Sequence, residues 1–107
     1  MYNEFHRENE SMYAVIFTAE INEIDDRYFE MARLLREVAI TQYGCLEFVA
    51  ATEGGQEIAI SYWQNLEHIK QWKQNKEHLV AQELGRTKWY KAFRVQVVEI
   101  VQEYQSL

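Results

Sequence analysis

From Met12 to Ile21 the chain reads MYAVIFTAEI, with Tyr13, Val15 and Phe17 on one side of the alternation and Ala14, Ile16 and Thr18 on the other. Alternating aromatic and β-branched residues predict a strand. Tyr28, Met31, Ala32, Leu35, Val38 and Ala39 then recur at three- and four-residue spacing. That stripe predicts an amphipathic helix, capped by Asn22 and running to about Thr41. Two β-rich runs, CLEFVAAT and EIAISYW, flank Glu53-Gly54-Gly55-Gln56 and predict a hairpin. Asn65 and Asn75 each stand three residues before a histidine, which places them as N-caps of two short helices over 66–73 and 76–84. Gly85 suits the stop. Finally AFRVQVVEIVQEY alternates with no breaker and predicts a long last strand.

Strand, helix, strand, strand, helices, strand is the order of a ferredoxin-like βαββαβ domain, an α+β fold with an antiparallel sheet. The domain spans 12–107, behind a polar stretch, 1–11, expected to be a flexible leader. The third strand of this order has Ile58, Ile60 and Tyr62 on one face and Ala59, Ser61 and Trp63 on the other. Helices of this topology cover one side of the sheet, so the second apolar face predicts a homodimer with sheets packed face to face.

Composition narrows the partners. The 107 residues carry 11 Lys and Arg against 17 Asp and Glu, a net charge of −6, which disfavours nucleic acid and anionic lipid. At 48% hydrophobic residues the chain can fill a core. The single cysteine, Cys45, excludes an internal disulfide and fits a reducing compartment. No apolar run approaches the roughly 20 residues of a membrane span, and MYNEFHRENE is not a secretory signal, so the expected location is the cytoplasm.

Candidate chemistry is sparse. No nucleophile elbow, phosphate loop or dinucleotide fingerprint occurs. His6, His68 and His78 do not pair at metal-ligand spacing, so no metal is expected. His78, Gln82 and Arg86 recur every four residues, with Trp72 just upstream and Trp63 at the end of a strand. An apolar box with aromatic walls, one imidazole and one guanidinium suits a planar phenol or quinol and its anion. Each residue also has a plain structural role: His78 as a first-turn residue under the Asn75 cap, Trp63 and Trp72 as core, Arg86 at a helix C-terminus.

Ser61-Tyr62-Trp63-Gln64-Asn65-Leu66-Glu67, followed by Ile69-Lys70-Gln71-Trp72-Lys73, resembles the antibiotic biosynthesis monooxygenase family. Glu77-His78-Leu79-Val80-Ala81-Gln82, Gly85-Arg86 and Lys88-Trp89-Tyr90 carry the likeness onward, over about 12–104. The resemblance implies a dimeric α+β barrel and a reaction without cofactor, in which a phenolic substrate loses a proton and its anion reduces dioxygen. His78 would be the base, Arg86 would hold the phenolate, and Trp63, Trp72, Gln82 and Tyr90 would bind the substrate. Heme-degrading relatives place an axial histidine ten positions after the helical Trp, and here that position is Gln82. Because the family's activities vary, a non-catalytic ligand-binding dimer and a heme-binding protein are the alternative readings.

Overall fold

A computed structural model of the chain describes residues 11–106 together with the backbone of 2–5. In chain order the elements are β1 (Tyr2–Phe5), β2 (Met12–Ile21), α1 (Asp26–Gln42), β3 (Glu47–Glu53), β4 (Gln56–Trp63), α2 (Leu66–Lys73), α3 (Lys76–Leu84), a π-helical turn (Gly85–Trp89), β5 (Tyr90–Ile100) and β6 (Glu103–Ser106). The main sheet is antiparallel with order β3-β4-β2-β5, the split βαβ arrangement that the element order predicts. Within the polar leader, Tyr2–Phe5 pairs with Glu103–Ser106; His6 lies outside the described residues.

Local signals explain most boundaries. Gly54 and Gly55 both have positive φ, 58° and 79°, the conformation that a two-residue turn needs to match strand twist. Asn65 and Asn75 cap α2 and α3 as expected, accepting from the backbone N–H groups of His68 and of Glu77 and His78. Three boundaries differ. The cap of α1 is Asp25, whose carboxylate accepts from Tyr28 N–H at 2.9 Å, whereas Asn22 donates its side-chain amide to the Lys88 carbonyl and ties β2 to the turn before β5. The last strand is interrupted at 101–102 because its neighbour ends: Ile100 pairs with Met12, and beyond that the chain takes β1 as partner. Gly85 is not a stop. It keeps helical angles, φ −60° and ψ −47°, and the chain continues through the π-helical turn to Trp89.

Helices cover one face of the sheet. Val15, Trp63, Ile69, Trp72, Ala39 and Cys45 form the buried centre between them, with Leu35 and Phe48 packed against it. The Cys45 thiol donates to the Glu47 carbonyl, and burial pushes it up from the usual thiol range, so it behaves as an inert apolar residue. The register puts Ile16, Ile60 and Val49 in one row on the opposite face, beside Ile58, Tyr62 and Val98. Val49 and Ile58 there are 44% and 41% exposed. Among the described residues no helix is long and apolar enough to cross a membrane.

Candidate functional site

A cavity of about 410 Å³ lies between the helix-covered face of the sheet and the helices. This is within the range of about 300–1,000 Å³ typical of small-molecule sites. Helix α1 runs along its length. Tyr28, in the first turn, meets Trp89 and Tyr90 at one end, with ring centroids 5.3 and 6.2 Å away. Leu35 packs at the other end with Phe48, Trp72 and His78, and Arg36, two helical turns on from Tyr28, follows it in the lining. Val15, Phe17 and Ala59 of the sheet form the floor between them.

At the Trp72 end, His78 packs edge-on against the indole, with centroids 4.4 Å apart. Its backbone N–H bonds the Asn75 cap while its ring lines the cavity, so the capping bond leaves the imidazole facing that space. Gln82, one turn on, places its side-chain amide 3.2 Å from Nδ1 and orients the imidazole. Thus the residue at the heme relatives' axial position serves as a partner of His78. Burial, reinforced by the Lys73 ammonium, lowers the His78 pKa to about 4, and the ring is neutral at pH 7.

Sequence spacing misplaces two residues. Arg86 lies outside the cavity, exposed and paired with Glu83. At 100° per residue, two four-residue steps from His78 carry the chain about 80° around the helix, so the cavity-facing stripe runs through His78, Gln82, Gly85 and Trp89. Trp63 is fully buried, 5.2 Å behind Trp72, and supports the wall without lining it. Cations in the lining come instead from Arg33 and Arg36 on α1 and Lys73 at the end of α2. Arg33 is paired with Glu37 at 2.9 Å; among the described residues, Arg36 and Lys73 have no ion-pair partner.

The opposite end holds a group that sequence patterning did not single out. Tyr90 donates its phenol to Glu57 Oε2 at 3.0 Å, across 33 positions of chain. Burial first, then interaction with Glu57, raises the pKa of the Tyr28 and Tyr90 phenols above the ordinary tyrosine range, so both keep their protons. Glu57 faces inward because it opposes Ala19 in the register; in a strand read as Ile-, Ala- and Trp-rich, only its place in the alternation with Ala59, Ser61 and Trp63 marked it.

Gly85 makes this end possible. A Cβ on it would stand 3.0 Å from the Tyr90 ring, tighter than atoms normally approach. Gly85→Ala would gain about 1 kcal/mol of helix propensity, and the overpacking costs about 1–3 kcal/mol. The expected net result is a lower urea midpoint, with Tyr90 pushed off Glu57; a raised midpoint contradicts the close contact.

No protein-family model matches the chain. It is 36% identical over 89 residues to the uncharacterised protein YqjZ of Bacillus subtilis, a span covering 82% of this chain and 78% of that one. A candidate antibiotic biosynthesis monooxygenase from Nitrosomonas europaea superposes with a TM-score of 0.72 at 12% identity, over 89% of this chain and 95% of the other. SnoaB, a cofactor-independent oxygenase from Streptomyces nogalater, does so with a TM-score of 0.68 at 9% identity, over 81% and 90%. A third, a candidate antibiotic biosynthesis monooxygenase from Caulobacter crescentus, gives 0.69 at 15% identity, over 86% and 92%. The chain therefore belongs to the family of YqjZ, and its fold is that of the antibiotic biosynthesis monooxygenase domain.

Proposed function

We propose that this protein is a cofactor-independent monooxygenase of a small phenol- or quinol-like compound, working as a cytoplasmic homodimer. The observation that carries this reading is the cavity itself, with aromatic walls, a neutral oriented imidazole and unpaired cations at one end. SnoaB, of the same fold, is described as a cofactor-independent oxygenase. In the proposed reaction the phenol yields its proton to the His78 imidazole. The phenolate's electrons then reduce dioxygen, one oxygen atom entering the ring in place of hydrogen and the other leaving as water. A phenol and O2 become a quinone and H2O, and no outside reductant is needed.

Magnitudes restrict the substrate. An ordinary phenol titrates near 10 and the His78 imidazole at about 4. That gap of about six units opposes transfer by ~8 kcal/mol. Lys73 and Arg36 reduce it by favouring the phenolate, in the role first assigned to Arg86, and the phenolate in turn draws the imidazolium pKa upward. Phenols already acidified by a conjugated carbonyl are the fitting substrates. The same low pKa also favours a second reading, a binding protein in which neutral His78 serves as a hydrogen-bonding group.

Oxygen uptake with a panel of carbonyl-conjugated phenols and quinols tests the reaction. The expected results are uptake with at least one compound, incorporation of a single labelled atom from ¹⁸O₂, and a loss of about 10²–10⁴-fold in His78→Phe. Arg86→Ala should retain activity. No uptake with any compound, or full activity in His78→Phe, overturns the proposal. The dimer rests on the uncovered apolar face around Ile58, Ile60 and Val49, and native mass spectrometry should give twice the chain mass.

A further inference from the structure

The two ends of the cavity have opposite chemical character. At one end Glu57 is held by the Tyr90 phenol at 3.0 Å and faces Tyr28, and among the described residues no cation pairs with it. The Tyr90 phenol occupies one position of a carboxylate that has about four acceptor positions. At the other end Arg36 and Lys73 line the wall, also without a partner of opposite charge. Aromatic and aliphatic side chains fill the space between: Phe17, Leu35, Phe48 and Trp72. A half-buried carboxylate at one end, and at the other a half-buried Lys73 and an exposed Arg36 that lack ion-pair partners, favour a ligand that supplies a partner for each.

From these positions we infer that the cavity selects a bipolar ligand: a rigid apolar body with a hydrogen-bond donor seated on Glu57 and an anionic group between Arg36 and Lys73. Helix α1 supplies the scale. Tyr28 and Arg36 are eight residues apart, about 12 Å along the axis, which is the length of a two-ring body with a polar group at each end. Tyr90 is a positioning residue here, because its O–H group points the carboxylate while remaining protonated, and Tyr28 packs beside it. Their aromatic faces, with Trp89, wall the donor's seat. The inference rests on the proposed function only in taking this cavity as the ligand site; it concerns recognition and holds whether or not the ligand is oxidised.

Binding under nitrogen separates it from turnover. The probes are a para-hydroxylated biphenyl carboxylate, its methyl ether and its methyl ester, titrated against the fluorescence of the Trp72 and Trp89 side chains that line the cavity. The parent compound should bind at least tenfold more tightly than either derivative. Glu57→Met, which removes the acceptor, should erase the preference for hydroxyl over ether. Arg36→Met with Lys73→Met should erase the preference for acid over ester. The comparison of three probes on the unaltered protein stands even if a variant fails to fold. Equal affinity for hydroxyl and ether, equal affinity for acid and ester, or binding of none of the three overturns the inference. Failure of oxygen uptake alone leaves it intact.

Discussion

Trp63→Ala is expected to destabilise the fold by about 3–5 kcal/mol. Trp63 is 0% exposed. Its ring packs 5.2 Å from that of Trp72, and its indole N–H donates to Ser61 Oγ at 2.9 Å. Small domains have a total stability of about 5–15 kcal/mol, so the variant would lose a large share of its margin. Trp72 would lose its backing at the same time, and with it the wall on which His78 rests. Ser61→Ala separates packing from hydrogen bonding: it leaves the indole donor buried without a partner, at a cost of about 1–3 kcal/mol. Urea unfolding of both variants measures these terms. A loss below about 1 kcal/mol in Trp63→Ala contradicts its place at the centre of the core.

The second large effect is on pH. His78 has its pKa lowered from 6.5 to about 4 by burial and by the neighbouring Lys73. In the unfolded chain the imidazole takes up a proton near 6.5, and in the folded chain it resists until about 4. Between those values the unfolded state binds more protons, so stability falls as the pH drops through that window and is fully present above it. At pH 5 the difference amounts to about 2 kcal/mol. His78→Gln removes the titrating group and should be the more stable protein at pH 5, with little difference at pH 7.5. Paired urea curves at the two pH values check this. An imidazole proton resonance assigned to His78 should show its midpoint near 4; a midpoint near 6.5 shows that the ring is not buried as described.

Much of the fold was legible before any coordinates. Asn65, Asn75 and the Gly54-Gly55 pair act through their own backbone neighbours, so their signals survive folding unchanged. Asn22 and Gly85 misled for a shared reason. Both are residue types with a common local use, and tertiary contacts took them for another: Asn22 for the Lys88 carbonyl, Gly85 for the face of the Tyr90 ring. Asp25 was the better cap because its second oxygen also takes Lys88 Nζ, at 2.8 Å, anchoring the start of α1 to the turn that carries Trp89.

For the site the division is sharper. His78, Gln82 and Trp72 lie within one stretch of eleven residues: helical periodicity stacks Gln82 on His78, and the short break at 74–75 turns α3 so that His78 meets Trp72. Arg86 was lost to the same periodicity, because four-residue spacing drifts off a 3.6-residue turn. Glu57, Tyr28 and Tyr90 come from a strand, a helix and the start of another strand, and no local rule connects them. What determined the element order, the caps of α2 and α3 and the hairpin was chemistry between near neighbours, which the sequence contains by itself. The union of Glu57 with the Tyr90 phenol and the supply of cations from α1 were decided by sheet register and helix packing, and these exist only once distant segments have been brought into contact.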